Sequence, residues 1–117
     1  MPRNKAHLLL VDDDKRILSL LSAYLSKNEF LISSARNSTE ARCLLDYFEF
    51  DLLIIDIMMP GESGLDLLES IRKQTSVPAI FLSAKGESKD KISGLEMGAD
   101  DYLPKPFEPK ELILRIK

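Results

Sequence analysis

At 117 residues, with 44% hydrophobic and 30% charged content, the chain has the size and balance of one soluble globular domain, with no second domain within it. No apolar run approaches the roughly 18 residues of a membrane span, and the opening MPRNKAH lacks the apolar centre of a signal peptide, so a cytoplasmic domain (1–117) with no membrane partner is expected. The net charge of −3 and pI near 5.2 argue against this domain itself gripping nucleic acid, and the single Cys43, outside any CxxC pair, excludes an internal disulfide, a redox motif and a zinc site. Cys43 reads as a thiol on a helix face.

In chain order, His7 to Val11 reads as a first strand, followed by Ile17, Leu20, Leu21, Tyr24 and Leu25 at the i, i+3, i+4, i+7, i+8 spacing of an amphipathic helix. Phe30 to Ser33, ending in Ser34, is shorter and more polar, as suits an edge strand. Asn37 or Ser38 then caps a helix carrying Ala41, Leu44, Leu45 and Phe48. Asp51 to Ile55 is a continuous apolar strand of the kind buried on both faces of a parallel sheet. Pro60-Gly61 and Gly64 mark a loop, and Leu65, Leu68 and Ile71 a third helix to about Lys73. Ala79 to Leu82 is the fourth strand, Ser83 to Gly86 a loop, and Ser88 to Met97 a weakly patterned fourth helix stopped by Gly98. Asp101 to Leu103 is the fifth strand, and Pro109 opens a last helix with Leu112, Ile113 and Ile116. Five such repeats predict an α/β fold, a parallel sheet with helices on both faces. The last helix stops mid-pattern at the basic residues Lys110, Arg115 and Lys117, which leads us to expect a linker and a further domain beyond 117.

The apolar strands stop at chemically active residues. Asp12, Asp13 and Asp14 follow the first, Asp56 the third, Ser83 the fourth, and Pro104-Lys105-Pro106 the fifth. In open α/β sheets the crevice beyond the carboxyl ends of the strands is where ligands bind. Carboxylates without His or Cys nearby form a hard-oxygen site that suits Mg²⁺ or Mn²⁺. Asp14 is accounted for as a helix cap; Asp12 and Asp13 opposite Asp56 call for a cation. Beside a metal, Asp56 can attack a phosphoryl group in line, with Lys105 and Ser83 offering a point charge and a hydroxyl to its oxygens.

VDDD after the first strand, DIMMPG after the third, SA after the fourth and GADDYLPKPF around the fifth resemble the receiver domain of two-component response regulators over almost the whole chain. The resemblance implies a flavodoxin-like, doubly wound five-stranded parallel sheet in the order 2-1-3-4-5 with five helices, an order of which a chemotaxis receiver of the same family is a standard example. It implies Asp56 as phosphoacceptor, Asp12, Asp13 and the Met58 carbonyl with Asp56 as the Mg²⁺ ligands, Ser83 as the switch hydroxyl, Tyr102 as the aromatic switch, Lys105 as the phosphate-binding lysine, and a cis Lys105-Pro106 peptide. The domain would then be a signalling module, not an enzyme with a separate substrate, though it assists its own phosphorylation and dephosphorylation. Its partner would be a sensor histidine kinase.

The tail resembles the OmpR/PhoB-type branch, whose output domain is a winged helix. In that branch the fourth helix, fifth strand and fifth helix form a phosphorylation-dependent homodimer face. Lys91, Asp100, Asp101, Glu111 and Arg115 stand at its salt-bridge positions, and Ile92, Leu95 and Ile113 near its apolar centre. DNA would be reached only through an output domain outside this chain. Three other readings are weaker. A haloacid-dehalogenase-like phosphatase needs a second Asp two residues after the first, where this chain has Met58. A flavodoxin needs a phosphate loop where DDDKRI would repel phosphate, and a pseudo-receiver would have lost an acid or the lysine.

Overall fold

The computed structural model describes residues 6–84, 101–105 and 108–116, and of Ser83, Ala84, Pro104 and Lys105 the backbone alone. Five strands, β1 (His7–Val11), β2 (Leu31–Ala35), β3 (Leu52–Asp56), β4 (Ala79–Ala84) and β5 (Asp101–Lys105), form one sheet in the order β2-β1-β3-β4-β5, every pair parallel. The described helices are α1 (Lys15–Lys27), α2 (Ser38–Tyr47), α3 (Gly64–Ile71) and α4 (Pro109–Ile116). The helix expected over Ser88 to Met97, with Lys91, Ile92, Leu95 and Asp100, lies outside the described residues, as does Pro106.

The period-2 alternation of β1 and β3 sorts the core into two halves. Leu9, Val11, Leu53, Ile55, Ala79 and Phe81 pack against α2 and α3, with Ala41, Leu67, Leu68 and Ile71. Leu8, Leu10, Leu52, Ile54, Ile80, Leu82 and Leu103 face the other way, against Leu18, Leu21 and Leu25 of α1 and Leu112 and Ile113 of α4. Because β3 is central, both its faces are covered, which is why it reads as an unbroken apolar run. β2 and β5 are the edges, so Ser33 and Ser34 are tolerated in one and Pro104 in the other.

Several expected boundaries move. The stripe of α1 is Leu18, Leu21 and Leu25, while Leu20 is 60% exposed; at 100° per residue, Leu20 falls off the line that 18, 21 and 25 share. β2 runs to Ala35 and β3 starts at Leu52, because Asp51 is taken up in pairing with His7, whose N–H its carboxylate accepts at 2.8 Å. α2 ends before Phe48, whose extended backbone makes it the C-cap and leaves it exposed. β4 and β5 each continue past their apolar stretch, to Ala84 and Lys105, since ladder pairing with a neighbour holds a strand after its side chains cease to be apolar. Cys43 sits exposed on α2, as expected.

Candidate metal and phosphoacceptor site

Register places the acids. Val11 pairs with Ile55, so the next residues, Asp12 and Asp56, stand side by side at the carboxyl edge of the sheet. Along β1 the positions Leu8, Leu10 and Asp12 share a face, and along β3 so do Leu52, Ile54 and Asp56, so alternation carries both carboxylates to the side of α1. Carboxylate oxygens of Asp12, Asp13 and Asp56 all lie within 4.8 Å of one another. Asp12 and Asp56 are only 2% and 4% exposed, whereas Asp13 is exposed.

The backbone helps to hold these acids. Asp12 Oδ1 accepts the Asp14 N–H at 3.0 Å, and the Asp12 N–H donates to the Ala35 carbonyl at 3.1 Å, tying the end of β1 to β2. Asp56 Oδ1 accepts the Met58 N–H at 3.4 Å. Asp14 turns away to cap α1, accepting the Arg16 N–H at 2.9 Å, and that hydrogen bond holds its carboxyl below the usual carboxylate range. Of the three aspartates, Asp14 thus caps α1, while Asp12 and Asp13 lie beside Asp56.

The other expected site residues take their places through the strands. Asp56 pairs with Leu82, so Ser83 follows one residue further along the same edge, and Lys105 pairs with Ala84 at the end of β5. Met58 is 64% exposed in the loop between β3 and α3. Tyr102, expected to switch between positions, is 6% exposed and packs in the core half that contains Phe81, its register partner. On the expected dimer face, Asp101 and Arg115 form an ion pair within the chain at 2.8 Å, Glu111 is exposed, and Ile113 is buried against the core while its neighbour Leu114 is exposed.

The donor set fits a small hard cation. Ligands on opposite sides of a Mg²⁺ at about 2.1 Å are about 4.2 Å apart. Three oxygens within 4.8 Å can thus be gathered around one ion with small side-chain movements, or with one of them bridged by a retained water. Two features beside the site were not among the site residues that the sequence singled out. Gly64, the first residue of α3, lies so close to β3 that a Cβ there would collide with the Asp56 carbonyl. Arg42 of α2 grips Glu62 in the loop after Asp56. The sequence signal for the first was Ser63-Gly64-Leu65-Asp66, a cap followed three residues later by an acid; Ser63 Oγ accepts the Asp66 N–H at 3.2 Å.

Residues 8–117 match the family described as the response regulator receiver domain. The chain belongs to this family. The receiver is 53% identical over 116 residues to protein PetR of Rhodobacter capsulatus, a match that covers 99% of this chain and 49% of PetR. It is 41% identical to the transcriptional regulatory protein ResD of Bacillus subtilis, over 97% of this chain and 48% of ResD. Among solved structures, the receiver domain of the Francisella response regulator 1452 matches with a TM-score of 0.90 and 39% identity, over 96% of this chain and 93% of that one. The receiver thus spans about half the length of the curated relatives it matches. Its sheet order is the flavodoxin-like one expected of the family. No helix among the described residues is long and apolar enough to cross a membrane.

Proposed function

We propose that this receiver takes a phosphoryl group onto Asp56 from the phospho-histidine of a sensor histidine kinase, with Mg²⁺ held by Asp12, Asp13, Asp56 and the Met58 carbonyl. The observation that carries the reading is the acidic trio at the carboxyl edge, with Asp56 buried at the end of the central strand. An Asp56 oxygen attacks phosphorus, a P–O bond forms as the P–N bond breaks, and the electron pair leaves on the imidazole nitrogen. When bound, the cation neutralises charge on the equatorial phosphoryl oxygens. Asp12 and Asp13 hold their carboxylates beside the nucleophile, burial of Asp56 limits the water that reaches it, and Lys105 and Ser83, at the ends of the neighbouring strands, bind the remaining oxygens.

The output step follows the OmpR/PhoB-type branch: a hydrogen bond from Ser83 to the phosphoryl group draws the end of β4 inward, and the face that includes β5 and α4 changes its pairing. In this arrangement Tyr102 is already inside the core, so phosphorylation favours a conformation in which it stays there rather than carrying it in. The Asp101–Arg115 ion pair would be exchanged for pairs with a second copy. Both would act on a DNA-binding domain elsewhere in the full-length protein, in the cytoplasm. The test is mass spectrometry after incubation with acetyl phosphate. A phosphate adduct that needs Mg²⁺ and vanishes in Asp56→Asn supports the reading; an adduct that forms equally in EDTA, or persists in Asp56→Asn, refutes it. Light scattering with beryllofluoride tests the output, and association that is unchanged once the mimic is bound refutes the dimer face.

A further inference from the structure

The loop between β3 and α3 runs from Ile57 to Ser63 and carries Met58. Its two ends are pinned: the Ile57 N–H donates to the Leu82 carbonyl at 2.9 Å, and the Gly64 N–H to the Ile57 carbonyl at 3.0 Å. Between them Met58, Pro60 and Gly61 are exposed and only Met59 is buried. Gly61 sits at φ +78° with no atom within 4 Å of where a Cβ would be, so nothing packs against the turn at that residue.

At its Met58 end the loop is held by the Met58 N–H on Asp56 Oδ1 and by buried Met59, and near its α3 end, beyond Gly61, by Glu62. Its carboxylate accepts from both Nη atoms of Arg42, at 2.5 and 2.6 Å, and its carbonyl accepts from Ser38 Oγ at 3.3 Å. Arg42 Nη2 also donates to Ser70 Oγ at 2.9 Å, so one guanidinium on α2 ties the loop to both α2 and α3. Surface ion pairs commonly contribute little, but a bidentate pair with a third partner has a defined geometry that a single contact lacks. The mutual bond lowers the Glu62 carboxyl and raises the Arg42 guanidinium, so both stay charged near neutral pH.

We propose that Arg42 and Glu62 are positioning residues for the cation: by holding the loop, they keep the Met58 carbonyl in reach of the site formed by Asp12, Asp13 and Asp56. This rests on the reading of the acidic trio as a Mg²⁺ site. Groups that orient a metal's ligands are worth about 10–100-fold in affinity, and a clamp acting through a half-exposed loop belongs at the lower end, about tenfold.

The experiment is calorimetric titration of the 117-residue chain with Mg²⁺, at a temperature where circular dichroism shows every variant folded. Arg42→Met and Glu62→Gln should each weaken Mg²⁺ binding by about tenfold, with Arg42→Lys, which keeps the charge and loses the fork, weakened in the same direction. A purely long-range charge effect predicts opposite signs: removing the cation would tighten Mg²⁺ binding and removing the anion would loosen it. Opposite signs would therefore overturn the proposal, as would affinities equal to the parent's in all three variants, even with lowered melting temperatures. Asp13→Ala separates the two levels of the reading. If it binds Mg²⁺ as the parent does, the metal site itself is wrong; if it loses binding while the clamp variants do not, only the clamp is wrong.

Discussion

Replacing Gly64 with alanine tests how α3 is seated on the site. A Cβ at this position would lie 2.8 Å from Ile55 Cγ2 and 2.9 Å from the Asp56 carbonyl carbon, with the carbonyl oxygen closer still. Ordinary carbon contacts lie near 3.5–4.0 Å, so something must yield by about 1 Å. β3 cannot, since it is hydrogen-bonded to β1 on one side and β4 on the other. The first turn of α3 must therefore lift, disturbing Leu67 and Leu68 in the core behind it. Overpacking of this kind costs about 1–3 kcal/mol, against which alanine's advantage over glycine in a helix offsets at most about 1 kcal/mol, and less at the first position. The cost wins. Urea unfolding should show a lower midpoint at unchanged slope, and the melting temperature should fall by about 4–12 °C. Gly61→Ala is the control, because it meets nothing within 4 Å and suffers only from its left-handed backbone. It should cost about 1 kcal/mol, and Gly61→Asn less. A Gly64→Ala protein as stable as the parent would refute the close-approach argument.

Glu29, at φ 68° just beyond α1, holds a left-handed conformation that glycine adopts without strain, so Glu29→Gly should raise stability by about 0.5–1 kcal/mol in urea unfolding. Asp13→Asn should stabilise the metal-free chain by on the order of 1 kcal/mol, by removing one of three carboxylates within 4.8 Å, and should abolish the rise in melting temperature on adding Mg²⁺. Glu62 titrates lower in the folded chain than in the unfolded one, so the folded state binds fewer protons across that range and stability rises with pH there. The contribution of the Arg42–Glu62 pair, about 1 kcal/mol after solvent screening, should be complete above the ordinary glutamate value and lost as pH falls through the lowered one. Unfolding curves of the parent and Glu62→Gln should accordingly differ at pH 7 and converge under acid; a gap that persists in acid would contradict this.

The order of the described strands and helices, and the identity of the acids at the carboxyl edge, were legible in the amino-acid order. Both signals are local: a strand buried on two faces must be continuously apolar, as Leu52 to Ile55 is, and a carboxylate that ends such a run is costly to bury unless it has a partner or a cation. The caps at Asp14 and at Asn37, the latter one of two candidates with Ser38, were legible for the same reason, since the donors they satisfy lie two or three residues away. Choosing between Leu18 and Leu20 on α1 was less so, because both fit a helical period and the direction of the core decides which is covered. Whatever depends on separation in space between residues far apart in the chain had to wait for the folded arrangement. The Val11–Ile55 register brings Asp12 beside Asp56; the close seat of α3 makes Gly64 a steric requirement and not a turn residue. The Arg42–Glu62 fork spans 20 positions, and neither residue carries a pattern that names the other. Tyr102 likewise gave no local sign of whether its ring lies inside or outside, because an aromatic in an edge strand satisfies the strand in either place, and the space beside Phe81 settles it.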